Sequence, residues 1–170
     1  MNVGASSPED YGDYFAWGET KPKDTYTWSN YTWCDGSSDT QTKYCTSDNK
    51  TVLELEDDAA RANWGGNWRM PTIDEMIELV ENCTREWTTR NEVIGCKVTG
   101  PNGHFIFLPA AGNRLDDSLD GAGFGGYYWS SSLYPDDGIY AFGLNFRSGT
   151  VRWGYYYGRY RGHSVRAVCP

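Results

Sequence analysis

Trp68-Arg69-Met70-Pro71-Thr72-Ile73-Asp74-Glu75-Met76-Ile77-Glu78-Leu79-Val80 is the stretch from which the rest of the chain can be ordered. Thr72 with Glu75 three residues later is a capping-box pattern, in which each side chain takes the other residue's orphan backbone amide. Pro71 sits just ahead, and Ile73, Met76, Ile77 and Val80 recur at helical spacing. The sequence therefore predicts a helix whose apolar stripe faces a core, since nothing polar interrupts it as a ligand site would require. Upstream, Glu54 to Asn63 sets Ala59, Ala60 and Ala62 behind acidic residues that suit a helix N-terminus, and Gly65-Gly66 stops it.

Downstream, β signals take over. Trp87 to Arg90 and Val93 to Val98 flank Asn91-Glu92 as a hairpin, Gly100-Pro101-Asn102-Gly103 is a turn, and His104 to Leu108 is an apolar strand. Gly121 to Gly126 reads as a loop entering a strand at Tyr127-Tyr128-Trp129, without the strand-then-helix setting of a dinucleotide loop. Tyr140, Phe142, Leu144 and Phe146 alternate on one face, Ser148-Gly149 turns, Thr150 to Tyr155 returns, and Ser164 to Val168 closes the chain. In the first fifty residues, Tyr14 to Trp17 is expected as a strand and Thr25 to Trp33 as an edge hairpin or ordered aromatic loop. Gly36 to Asn49 is expected as a polar surface insertion.

A chain of 170 residues, 39% hydrophobic and 22% charged, suits one globular domain with a core of its own. Its excess is aromatic, with 8 Trp and 13 Tyr. Eight of those tyrosines lie between Gly126 and Val168, among Gly, Ser, Asp and Arg, and Gly154-Tyr155-Tyr156-Tyr157-Gly158-Arg159-Tyr160-Arg161-Gly162 concentrates them. Tyrosine gives a large, stiff contact for few rotatable bonds, while Gly and Ser let backbone adapt, which is the chemistry of a combining surface. The competing reading is an aromatic-rich sheet, because Tyr is also a good strand residue.

Charge divides at the same place. The net −8 is made of 10 Lys/Arg against 21 Asp/Glu up to residue 125, and 5 Arg against 2 Asp beyond it. A mildly basic tail on an acidic body lacks the dense cationic stripe of a phosphate-backbone binder, so no nucleic-acid partner is expected. Arginine among aromatics is equally typical of protein-binding hot spots. No apolar run approaches a membrane span, so no membrane insertion by this domain is expected, and Met1-Asn2-Val3-Gly4 does not read as a signal peptide.

Cys34, Cys45, Cys83, Cys96 and Cys169 form no Cys-x-x-Cys, and only His104 and His163 could assist, so no zinc site is expected. Cys34 and Cys45 flank a polar loop, and a disulfide there would add about 3 kcal/mol in the loop-entropy view. Cys83 and Cys96 either pair or are small buried thiols, leaving Cys169 over. The expected setting is oxidising and extracytoplasmic, with reduced core thiols as the alternative.

Asn2-Val3-Gly4-Ala5, Tyr14-Phe15-Ala16-Trp17-Gly18-Glu19, Trp68-Arg69-Met70-Pro71-Thr72 with Glu75, Phe107-Leu108-Pro109-Ala110-Ala111-Gly112, Tyr128-Trp129-Ser130-Ser131-Ser132 and Ser164-Val165-Arg166-Ala167-Val168 together resemble the Fibrobacter succinogenes major paralogous domain. The resemblance runs nearly end to end. It implies an α+β, C-type lectin-like fold: two helices with antiparallel β-sheets, long ordered loops and neighbouring termini, in one domain over 1–170. Residues 1–125 are then mainly scaffold, and 126–168 resemble the variable region of a diversity-generating retroelement target protein. On that resemblance Trp129, Ser130, Phe142, Leu144, Phe146, Val151, Trp153, Gly162, Ser164, Val165 and Arg166 match framework. Asp137, Gly138, Tyr140, Gly143, Arg147, Arg152, Gly154, Tyr155, Tyr156, Tyr157, Tyr160 and Arg161 match ligand-binding positions. Family members often carry Cys directly before Asn-Val-Gly-Ala, where this chain has Met1, which implies an N-terminal partner for Cys169.

The implied function is non-enzymatic binding, of a receptor or adhesin type, to a protein or glycan on a cell or virus surface. A carbohydrate-binding lectin is the main rival, since aromatic faces stack on sugars. The Asp116-Asp117-Ser118-Leu119-Asp120 cluster and Asp136-Asp137 invite Ca²⁺, but solvated turns are the commoner outcome, and no cofactor is expected. Formylglycine-generating enzymes share the fold, yet their activity uses a cysteine pair near the C-terminus, where this chain has Cys169 alone. No Ser/His/Asp arrangement is evident: His104 falls in an apolar strand and reads as structural, and His163 lies beside the tyrosines. A surface module whose tyrosines serve self-assembly is a third reading.

Overall fold

The structure, a computed structural model, describes residues 1–169. Its elements are helix α1 (Ala59–Trp64), helix α2 (Ile73–Asn82) and eight strands: β1 (Thr84–Arg90), β2 (Val93–Thr99), β3 (Phe105–Pro109), β4 (Asn113–Leu115), β5 (Ser118–Asp120), β6 (Gly125–Leu133), β7 (Tyr140–Arg147) and β8 (Thr150–Gly158). They form three antiparallel sheets, β1-β2-β3, β4-β5 and β6-β7-β8. The fold is α+β and C-type lectin-like, and Val3 N donates to Val165 O at 3.0 Å, which brings the two ends together. No helix among the described residues is long and apolar enough to cross a membrane.

The capping box of α2 forms as its sequence dictates. Thr72 Oγ1 accepts from Glu75 N at 3.3 Å, and Glu75 Oε2 accepts from Thr72 N at 2.8 Å. Arg69 then grips Glu75 with both terminal nitrogens, at 2.7 and 2.6 Å, and these bonds, with those from Thr72, hold the carboxyl at about 2. Upstream, the expected helix from Glu54 is shorter. Leu55–Asp57 is a single 3-10 turn, and buried Asp58 starts α1 by accepting from Arg61 N at 3.0 Å while also taking Met70 N at 2.7 Å.

The β1–β2 hairpin turns on Asn91 and Glu92, at φ of 47° and 66°, the doubly left-handed geometry that matches strand twist in two-residue turns. Strand β3 begins at Phe105, leaving His104 exposed in the turn and not, as expected, in an apolar strand. Tyr14 to Trp17 is held by a single bridge from Phe15 to His163 and is not a strand. Thr25 to Trp33 is an ordered loop around a 3-10 turn at Trp28–Asn30. Beside backbone bonds to His163 and Arg159, indoles fix this segment: Trp17 Nε1 donates to Ser130 O at 2.9 Å and Trp129 Nε1 to Phe15 O at 2.8 Å.

All five cysteines are free thiols. The expected Cys34–Cys45 link is not made: the Cys34 thiol lies 3.2 Å from Trp28 O and Cys45 Sγ lies 3.1 Å from Ser47 Oγ. Cys83 and Cys96 join the apolar packing under α2, the buried-thiol alternative.

Sheet β6-β7-β8 is covered on both faces by different cores. Cross-strand partners share a face, so Trp129, Leu133, Ala141 and Tyr157 pack with Phe15, Trp17 and α1, whereas Tyr128, Leu144, Phe146 and Val151 pack with α2 and the β1-β2-β3 sheet. One irregularity sets the phase of β8. Between the pairs Asn145–Arg152 and Gly143–Tyr155, two residues, Trp153 and Gly154, oppose Leu144, and Gly154 takes φ +67°. This is a β-bulge with glycine in the left-handed region.

Candidate functional site

Strand β8 is the outer strand of its sheet and carries the expected binding residues. Tyr155 and Tyr156 leave 45% and 43% of their surface in solvent. Their rings stack at 6.1 Å and 17°, Tyr156 meets Tyr140 edge-on at 5.2 Å, and the exposed Arg152 guanidinium lies 5.6 Å from the Tyr155 ring. The structure thus brings Tyr140, Arg152, Tyr155 and Tyr156 into one aromatic and cationic patch. Arg152, Arg147 and Arg161 are in no ion pair among the described residues.

The sequence reading missed Tyr134 and Tyr127. Tyr134 stacks flat on Tyr156 at 4.1 Å and 20°, and the nearby Asp136 carboxylate raises its phenol. Tyr127 meets Tyr157 at 5.6 Å. Tyr127 had a signal in the sequence, since alternation in β6 puts it on the face opposite Tyr128. Phe142 and Trp153, assigned to framework, sit at the patch: Phe142 packs edge-on to Tyr134 at 5.3 Å, and Trp153 is 43% exposed.

Other expected binding residues do scaffold work. Gly143 is buried, and a Cβ there would come within 2.7 Å of Tyr128 O, so its smallness admits the neighbouring strand. Gly138 offers its carbonyl to Arg159 Nη1 at 2.8 Å. Gly154 forms the bulge. Tyr157 is half-buried against Trp129 and His163, at 6.3 and 4.7 Å, and burial raises its phenol. Tyr160 packs on Trp28 at 4.8 Å, with half-buried Arg161 5.9 Å from its ring. Exposed Asp137 shapes its own turn through Oδ1, which accepts from Ile139 N at 3.1 Å, and exposed Arg147 lies at the β7–β8 hairpin end.

Arg159, in the same run but assigned by the sequence to neither framework nor binding positions, faces inward. It is fully buried, donating to Tyr31 Oη at 2.9 Å, Tyr44 O at 3.1 Å, Gly138 O at 2.8 Å and Lys43 O at 2.9 Å, with its guanidinium 5.0 Å from the Trp17 ring. Four acceptors satisfy the fork without a carboxylate. His163 is also fully buried, stacked on Trp129 at 4.1 Å, and burial then the Arg161 charge drive its pKa well below 6.5.

The aspartates singled out for calcium are not gathered into a ligand set among the described residues. The one such grouping of three acids is Glu54, Glu56 and Asp57, and Lys43 Nζ sits inside it at 2.7, 3.3 and 2.6 Å. No curated protein and no solved structure matches the chain. The Lcl C-terminal domain family model matches residues 9–169, and a match over nearly the whole sequence places this chain in the Lcl C-terminal domain family.

Proposed function

We propose that this is a non-enzymatic ligand-binding domain of the receptor or adhesin type, whose recognition face is the aromatic and cationic patch of β8. The observation that carries it is the pair of exposed, stacked rings of Tyr155 and Tyr156 with Arg152, on a strand anchored to a sheet covered on both sides. Large rigid rings beside an unpaired guanidinium are the usual anchors of a protein contact. Membership of a variable-protein type of family supports the same reading, with retroelement diversification and an extracytoplasmic, cell-surface or virion location as parts of the proposal. Binding of wild type and a Tyr155→Ser/Tyr156→Ser variant to panels of immobilised surface proteins and glycans tests it. Capture by wild type alone, with unchanged circular dichroism, supports the proposal; equal capture by both proteins removes it.

A lectin reading has one observation in its favour, because near-coplanar tyrosine rings also suit a sugar face. Repeating the screen with a calcium chelator separates the two: protein-only capture indifferent to chelator supports the protein-binding form, and chelator-sensitive glycan capture replaces it with a calcium lectin.

A further inference from the structure

Apart from the β8 patch, α2, β3 and the segment after β8 enclose a groove of about 210 Å³. Its walls are Met76 and Leu79 of α2, Ile106 and Leu108 of β3, and Leu144 of β7, with Arg166 alongside. Apart from Glu75 and Tyr128 the lining is aliphatic, and Arg166 is its one cation. Arg166 is half-buried, and the nitrogens that it does not spend on protein stay within reach of solvent and of an incoming anion. Arg166 makes a single hydrogen bond among the described residues, from Nη1 to Phe107 O at 3.3 Å, and no ion pair. A guanidinium has five donor hydrogens in a planar fork, so most of this one's capacity is unspent.

The other polar groups at the groove are already committed. Glu75 is held in a two-point pair by Arg69, and Tyr128 Oη donates to Pro109 O at 2.8 Å. Burial also pulls the Arg166 pKa down, consistent with a charge short of partners.

We propose that this groove binds a short aliphatic carboxylate, its head paired with the Arg166 fork and its tail laid between α2 and β3. Charge complementarity selects an anion, the planar fork selects a carboxylate over a point charge, and the aliphatic walls select an unfunctionalised tail. The volume lies below that of drug-sized pockets, which favours a free small molecule over a peptide end. The site is separate from the β8 patch and does not rest on the function proposed for it.

Titration of isotope-labelled protein with octanoate, followed by amide chemical shifts, tests the proposal. Saturable shifts at millimolar octanoate are expected at Leu79, Ile106, Leu144 and Arg166, with 1-octanol weaker by about tenfold for want of a charged head. Arg166→Gln should weaken octanoate by about the same factor and leave 1-octanol unchanged. Leu79→Trp, which fills the groove from α2, should abolish both and keeps the test intact if Arg166→Gln fails to fold. Tyr155→Ser/Tyr156→Ser should bind octanoate as wild type does, whatever its effect on the β8 ligand. The proposal is overturned by unsaturable shifts, by 1-octanol binding as tightly as octanoate, by Leu79→Trp binding unchanged, or by an N-acetylated dipeptide ending in leucine binding more tightly.

Discussion

Strands β6 and β8 flank the same strand, β7, and both carry consecutive aromatics, Tyr127-Tyr128-Trp129 on one and Tyr155-Tyr156-Tyr157 on the other. Their fates are opposite. Tyr128 and Trp129 are fully buried, and each spends its polar atom on a carbonyl of another segment, Pro109 O and Phe15 O. Tyr155 and Tyr156 are nearly half exposed, and their rings contact each other, Tyr134, Tyr140, Tyr157 and Arg152. Residue type does not separate a core tyrosine from a recognition tyrosine; what lies over the strand does. Tyr128 of β6 joins the core under α2 and Trp129 the core around Phe15 and Trp17; of β8, Val151 and Tyr157 join those same cores, while Tyr155 and Tyr156 join neither.

The contrast can be broken most severely from the buried side. Trp129→Ala removes an indole that joins the core to Phe15, and urea denaturation should show a loss of about 3–5 kcal/mol. Arg159→Met should lower stability by about 3 kcal/mol, because three carbonyls and a phenol lose their donor together. A loss below about 1 kcal/mol would place that fork in the solvent-facing group. Tyr157→Ser, at the boundary, should lower it by about 2 kcal/mol by opening space above Trp129 and His163.

His163 sharpens the same boundary through pH. Its folded pKa is depressed below 6.5 by burial, so as pH falls through about 6.5 the unfolded chain takes up a proton that the native one does not. Stability is then lost on acidification, by about 1 kcal/mol per pH unit below that point, and is regained as pH rises. Denaturation midpoints between pH 7.5 and 5.5 should show this slope in wild type and lose most of it in His163→Phe, which keeps the stacking on Trp129. The smallest stability effect belongs to Tyr155→Ser/Tyr156→Ser, within about 0.5 kcal/mol per site, alongside the largest effect on ligand capture.

Features of the fold encoded within a few residues of one another were legible. The α2 capping box and the Asn91-Glu92 turn are local, and the β7 alternation is long enough to show its period. The β4–β5 hairpin was not legible, since three-residue strands carry no period and its register is set from outside by bridges from Tyr26 and Gly162. The Cys34 thiol illustrates a different limit: loop length permits a disulfide, but it does not say where the side chain points, and this one lies against the carbonyls of Trp28 and Tyr31. At the candidate site, composition singled out the run holding Tyr155 and Tyr156, the resemblance added Arg152, and the structure brings the three together. Arg159 had no role legible in the sequence, because its partners lie more than a hundred positions away at Tyr31, Lys43 and Tyr44. Tyr134 was missed because it stands alone beside Pro135, and only the pairing of β7 with β8 reveals its stack on Tyr156.

The two-against-one step at Trp153-Gly154 makes the display an indexed one. With it, Tyr155 and Tyr157 share Trp129's side of the sheet and Tyr156 turns to the side of Phe142; ironed flat, the same letters would exchange sides. No atom crowds the Gly154 α-carbon, so the constraint there is handedness alone. Asn or Asp, which enter that backbone region most readily, can therefore replace it without resetting the count, whereas a β-branched residue would scramble every contact downstream while adding no bulk to any interior.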